Sequence, residues 1–388
     1  MERLDVKAIL LIGTGTADTD GTSALFGGAP LATVDVLGRP LVLRIADRLI
    51  RYGVSTIFVV GPVDQVKNST SIPPQVQFVP AAEGNPWREC ENVFGEATQN
   101  GAEVMLVQRV GPYLELDYDD LIGFHLDRRN RVSTTVNSDG RALDVFCISA
   151  SRRNDAAFLF RHQMRELRTP SVPYRYQGPH NPMLTGSDLR QLTIQAFEGA
   201  IELAPFGRQV RPGVWMGEGA RIARGARVIA PAFVGAGAVV HPSAVVTRFS
   251  TVERGAEVDC GSMVEDANVL PQTYVGAGLD VAHAVVGHRH LLNLPRKVEI
   301  EIADPKLVRE LSEHAPLRAL AALAVHGPKR LLQNILPWLR PSQPAPLPVA
   351  VRAPAAALKS PAALHATTQP ADAQFSANLM VARRYGNE

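Results

Sequence analysis

Between residues 210 and 268 the chain keeps a period of six. A large apolar residue returns at Val210, Met216, Ile222, Val228, Val234, Val240, Val246, Val252, Val258 and Val264. Four places after each comes a residue that is usually small: Val214, Ala220, Ala226, Ala232, Ala238, Ala244, Ser250, Ala256, Ser262 and Asn268. One residue is then dropped, and the large positions resume at Val269, Val275 and Val281. Helices repeat every ~3.6 residues and strands every ~2, so neither accounts for this pattern. A parallel β-helix does: each hexad forms one flat face of a triangular coil, with the large residue pointing inward and the small one near the corner. Gly213, Gly219, Gly225, Gly237, Gly255 and Gly261 supply turns of positive φ.

Before about residue 200 the periods change. Short β-rich runs (8–13, 56–61, 76–80 and 103–110) alternate with helical patterns over 40–53 and near 88–100. In the first helix Leu41, Ile45, Leu49 and Ile50 share a face. Strands separated by helices of this length predict a largely parallel sheet covered on both sides. The first strand runs into a glycine loop, "AILLIGTGTADTDGTSALFGG" (8–28), which has the form of a phosphate cradle or of a plain tight turn at a strand end. The loop has an unusual charge pattern. No Lys or Arg stands between Lys7 and Arg39, while Asp18 and Asp20 lie inside it.

Past Val298 the pattern reads as helical, with Asp304 as a cap and Pro305 at the first helical position. Over 328–340, Leu331, Leu332, Ile335, Leu336 and Leu339 form one apolar face beside Trp338. Such a helix either closes or packs on the coil or lies on a membrane surface as a peripheral contact. Residues 341–388 are rich in Pro and Ala and read as mostly disordered. The expected organisation is 1–205, an α/β domain; 206–300, the β-helix; 301–340, C-terminal helices; and 341–388, a tail.

The totals narrow the function. A net charge of +2 gives no electrostatic case for nucleic acid as a partner. Three scattered cysteines (Cys90, Cys147, Cys260) suggest neither a zinc motif nor a disulfide framework, and so a reducing compartment. No run of about 18 apolar residues occurs, and the first apolar run is too short for a signal segment, so the expected location is cytoplasmic. Neither a Gly-x-Ser-x-Gly elbow nor an HExxH helix is present.

A few residues outside the loop carry possible chemistry. His241 follows an inward valine, where side chains point outward, and reads as a surface residue. His283, His288 and His290 cluster near the last coil; the alternate spacing of His288 and His290 puts both on one side of a strand, as metal ligands need, or leaves them in a solvated loop. "PYRYQGPHNP" (173–182) offers two tyrosines and His180, suited to stacking a base or sugar or to an ordered surface loop.

An α/β domain followed by hexapeptide coils resembles the sugar-1-phosphate nucleotidyltransferases, the nucleotide-sugar pyrophosphorylases of the mannose-1-phosphate guanylyltransferase type. The likeness spans about residues 5–300. It is carried by "VKAILLIGTGT", "LGRPLVLRIADRLIRYGVSTIFVVG", "LELDYDDLIGFHLDRRNRVSTTV" and "VLPQTYVGAGLDVAHAVVG". It implies a GT-A/Rossmann-like nucleotidyltransferase domain and a left-handed β-helix through which the chain forms a homo-oligomer. It also implies a nucleotide or sugar phosphate as ligand, with Gly13, Thr14, Gly15, Thr16, Glu83 and Gly84 as nucleotide-binding candidates.

The family transfers a nucleotidyl group, and the charge on that group calls for cations. It uses an Arg in the signature loop, a Lys soon after, and aspartates holding Mg²⁺. Here Ala17 or Asp18 stands near the Arg position, and nothing basic follows until Arg39. The two metal aspartates align with Gly111 and, if 184–189 is the matching stretch, with the neighbourhood of Pro182. The base-contacting loop keeps Glu83 and Gly84 but loses the family's Gly-Thr-Ala. Asp18 and Asp20 would repel a triphosphate by a few kcal/mol unless a metal bridged them. They are therefore the candidate Mg²⁺ holders, although their spacing is also that of a solvated turn. Three functions follow from these residues. One is a catalytically degenerate nucleotidyltransferase-like scaffold or regulator in nucleotide-sugar or polysaccharide biosynthesis. The others are an active nucleotidyltransferase with a rearranged metal site, and a hexapeptide-repeat acyltransferase using His283 or His288.

Overall fold

The computed structural model describes residues 4–13, 24–62, 66, 71–81, 86–150 and 172–311. The amphipathic stretch 328–340 and the tail 341–388 lie outside these residues, as do Thr14, Gly15, Thr16, Asp18, Asp20, Glu83 and Gly84.

The N-terminal part is an α/β arrangement around one seven-stranded sheet. Its elements are β1 (Val6–Leu11), α1 (Leu41–Arg51), β2 (Thr56–Gly61), β3 (Val76–Pro80), α2 (Pro86–Gln99) and β4 (Val104–Arg109). They continue with α3 (Tyr118–Asp127), β5 (Val132–Val136), β6 (Ala142–Ser149), β7 (Val172–Arg175) and α4 (Gly186–Glu198). The strand order is β7-β5-β6-β4-β1-β2-β3. β1 pairs parallel with both β2 and β4, as β2 does with β3 and β5 with β7. Only β6 runs antiparallel, between β4 and β5, so the expected largely parallel sheet has one reversed strand. β1 is buried on both faces, which is why it reads as an unbroken apolar run. Leu41, Ile45 and Leu49 of α1 are buried, as the helical period predicts. α4 begins in a reciprocal cap between Thr185 and Asp188 and ends at Gly199, whose φ is 70°.

The hexads build a three-sided coil of parallel strands. On the first face Val214 pairs with Ala232 and Ala232 with Ser250, eighteen residues apart. The second face stacks Arg221, Val239 and Glu257, and the third Arg227, Val245 and Met263. After the dropped residue the step shortens to seventeen, as in Asn268 to Val285. Val234, Val240, Val246, Val252, Val258, Val264, Val269 and Val275 form a stack with no exposed surface. Each contributes about 1.5 kcal/mol or more by leaving water. Ala232, Ala238, Ala244 and Ala256 fill the corners.

Beyond Gly287 the coil gives way to an antiparallel meander, Ala284–Gly287, His290–Asn293 and Val298–Glu301. The helix expected from Asp304 is not formed. Asp304 accepts from the Lys306 N–H at 2.9 Å in a turn, and Val308–Glu310 pairs antiparallel with Thr273–Val275 on the second face. This strand covers an otherwise open edge and buries Val308 against the valine stack, a gain that outweighs local helical preference.

The first face of the coil packs on the sheet domain, and Phe233, Leu270 and Val285 belong to the same core as β1 and α1. Polar groups fix this seam. Arg190 of α4 donates to the Phe249 carbonyl at 2.6 Å and to Asn268 Oδ1 at 2.8 Å, and pairs with Asp266. Glu253 takes the N–H groups of Leu37 and Gly38 on its two oxygens, at 3.1 and 2.8 Å. Gly38 is required there, because its φ is 87° and a Cβ would lie 2.5 Å from the Phe233 ring. Arg254 reaches buried Asp35 at 3.0 Å.

Candidate functional site at the carboxyl edge of the sheet

From β1 the chain moves outward through β2 to β3, then crosses back to place β4 on the other side of β1. The carboxyl ends of β1 and β4 therefore flank a topological switch point, the usual ligand crevice of an open α/β sheet. Ile12 donates to the Val60 carbonyl at 2.9 Å and is followed by Gly13, whose φ of 74° turns the chain out of the sheet. Gly61 allows that turn to sit close, since a Cβ would lie 2.7 Å from the Ile12 carbonyl oxygen. Across the crevice, Val110 donates to the Leu11 carbonyl at 2.8 Å.

One basic residue stands at this edge of the sheet. Register places Arg109, the last residue of β4, opposite Leu11. Its guanidinium lies 3.6 Å from Asp144 of β6, whose carboxyl is pushed up by burial and only partly restored by Arg109. Neither residue was a sequence candidate. The only sequence signal was Arg109 at a strand end, and its partner is set by antiparallel pairing.

Gly111 stands just beyond β4, with open space where a side chain would be. Tyr113 pairs with Asn181 and Leu114 with His180 in a short antiparallel bridge. Pro182 follows Asn181 and Gly111 lies two residues before Tyr113, at the same end of this bridge. Neither Gly111 nor Pro182 carries a ligand atom on its side chain. These residues do not fit a Mg²⁺ ion.

The two tyrosines of 173–182 are committed to structure. Tyr176 is buried, accepts the Glu115 N–H at 2.9 Å and donates to the Pro179 carbonyl at 2.7 Å. Tyr174 donates to Asp120 and sets its ring edge to face with Phe124. His288 and Arg289 both have positive φ and form a hairpin turn, so His288 and His290 do not share one strand face. Each histidine of this cluster meets its own carboxylate: His283 with Asp266 at 2.5 Å, His288 with Glu310 at 3.4 Å and His290 with Glu299 at 3.4 Å. They do not converge on a metal.

A cavity of about 290 Å³ lies elsewhere, lined by Arg44, Arg48, Arg51, Tyr113 and Glu202. Arg44 is taken up by the carbonyls of Val36, Leu37 and Ala204, and Arg48 by the Leu116 carbonyl and Glu202. These guanidiniums brace α1 against the segment 202–204. Among the described residues, no helix is long and apolar enough to cross a membrane.

Compared with known proteins, the chain matches no family model, and no curated protein matches it closely enough to count as a relative.

Proposed function

We propose that this chain is a catalytically degenerate member of the sugar-1-phosphate nucleotidyltransferase type. On this reading the α/β domain is GT-A-like, the three-sided coil is a left-handed β-helix, and the protein acts as a scaffold or regulator in nucleotide-sugar or polysaccharide biosynthesis. Self-association through the coil belongs to the same reading. One observation carries it: Gly111, and Pro182 if 184–189 is the matching stretch, stand where the family has its metal-holding aspartates, lie at one end of the same short bridge, and supply no carboxylate. Divalent metal is the largest source of charge stabilisation in phosphoryl and nucleotidyl transfer, so losing both ligands removes most of the catalytic power. The nearby Asp144 does not replace them, because Arg109 already pairs with it. At the crevice Gly13 heads the loop, and Arg109 ends β4 engaged with Asp144.

Pyrophosphate release should therefore stay at the enzyme-free background when the full chain is incubated with each nucleoside triphosphate, Mg²⁺ and a panel of sugar 1-phosphates. Release that scales with protein concentration would overturn the reading and favour an active enzyme with a rearranged metal site at Asp18 and Asp20.

A further inference from the structure

On the second face of the coil, side chains from two successive turns form a donor set that the proposed function does not use. His241 follows Val240 and Asp259 follows Val258, and these valines are paired neighbours in the parallel stack. His241 also donates its backbone N–H to the Val258 carbonyl at 2.9 Å. The two side chains therefore project from equivalent corners, one above the other, with Cys260 next in line. A histidine nitrogen, an Asp259 oxygen and the Cys260 sulfur all lie within 4.8 Å of one another.

The surroundings hold these groups as ligands. Glu257 lies 2.6 Å from His241 Nε2, which fixes the ring and leaves Nδ1 as the donor. Tyr274 donates to Asp259 Oδ2 at 2.5 Å, and its ring is covered by the Arg309 guanidinium at 3.6 Å from the centroid. The Cys260 N–H reaches Asp259 Oδ1 at 2.6 Å, so the carboxylate is held from both sides and still has lone pairs to give. Cys260 is exposed, whereas Cys90 and Cys147 are buried. One turn earlier the corner is Ala223, too small to block the site; one turn later it is Gly276, sealed by the Lys306 carbonyl.

We propose that His241, Asp259 and Cys260 form a binding site for a zinc-type divalent cation on the outer face of the coil. Thiolate and imidazole together select a borderline-soft metal and disfavour Mg²⁺ or Ca²⁺. Bonds of about 2.0–2.3 Å need ligand atoms roughly 3.3–3.7 Å apart, so the set, now within 4.8 Å, tightens on binding. Three protein ligands leave a fourth position for water or a substrate oxygen. Binding displaces the Cys260 proton to solvent. The site does not depend on the state of the nucleotide crevice.

The test uses the full chain, stripped with a chelator, kept reduced and titrated with Co²⁺ and then Zn²⁺. The expected result is one Co²⁺ per chain with a thiolate-to-cobalt charge-transfer band that Zn²⁺ abolishes. Cys260→Ala should lose the band. Glu257→Gln should keep it while binding about 10- to 100-fold more weakly, as loss of an orienting partner does. Unchanged far-ultraviolet circular dichroism in both variants separates loss of the site from loss of the coil. Absence of the band in the wild type, or its survival in Cys260→Ala, would overturn the assignment.

Discussion

Replacing Arg190 with alanine should lower the unfolding free energy by about 3–5 kcal/mol, the cost of breaking a buried ion pair from one side. Arg190 is 3% exposed and serves the Phe249 carbonyl, Asn268 and Asp266 at once. Without it, Asp266 keeps His283 as a partner, but the Phe249 carbonyl and Asn268 Oδ1 lose their charged donor inside the seam. Arg190→Lys should recover only part of the loss, because one ammonium lacks the planar fork that reaches several acceptors. Urea denaturation of the three proteins checks this. A loss below about 1 kcal/mol would mean that the seam between α4 and the coil is held by apolar packing alone.

The second large effect is a fall in stability as pH rises from about 7 to 8.5. Glu253 is buried, and burial together with Asp35 pushes its carboxyl from the ordinary 4.5 up to about 8, against the pull of the Leu37 and Gly38 N–H groups and Arg44. An acid raised in the folded state binds its proton more tightly there than in the unfolded chain. Its contribution is therefore complete below pH ~4.5, erodes as pH climbs, and is lost above about 8, a few kcal/mol in all. His125 works in the opposite direction. Burial between Ser133 and Ser149 lowers it to about 4, so its contribution is complete above pH ~6.5 and is lost as pH falls. Above pH 7 the His125 contribution is constant, so it does not mask the loss from Glu253. Glu253→Gln should flatten that slope in denaturation curves collected from pH 7 to 8.5. An equal slope in the variant, or stability that rises with pH in the wild type, would place the titration elsewhere.

The parts of this fold legible in the sequence are those governed by local repetition. Each hexad states the same rule, so the valine stack, the alanine corners and even the shortened step at Val269 can be read without coordinates. Gly13 at the end of β1 was readable for the same reason, since a strand that must leave a sheet sharply needs a positive φ. What was not legible depends on register between distant segments. Arg109 meets Asp144 through antiparallel pairing, and Glu253 meets Leu37 and Gly38 across more than two hundred residues. His241 read as a lone surface histidine because Asp259, one coil turn on, becomes its neighbour only once the chain has wound back. Asp304 and Pro305 resemble a helix start, but the open edge of the second face recruits Val308–Glu310 as a strand.

The same long-range pairing puts Gly111 and Pro182 at one end of a short bridge, and the account of function depends on what those positions lack. Calorimetric titration of the full chain with GTP, ATP and UTP, each with and without Mg²⁺, tests it most directly. The account predicts binding that is weak or absent and indifferent to Mg²⁺. Tight binding that requires Mg²⁺ would contradict it and identify a metal site within the loop that carries Asp18 and Asp20.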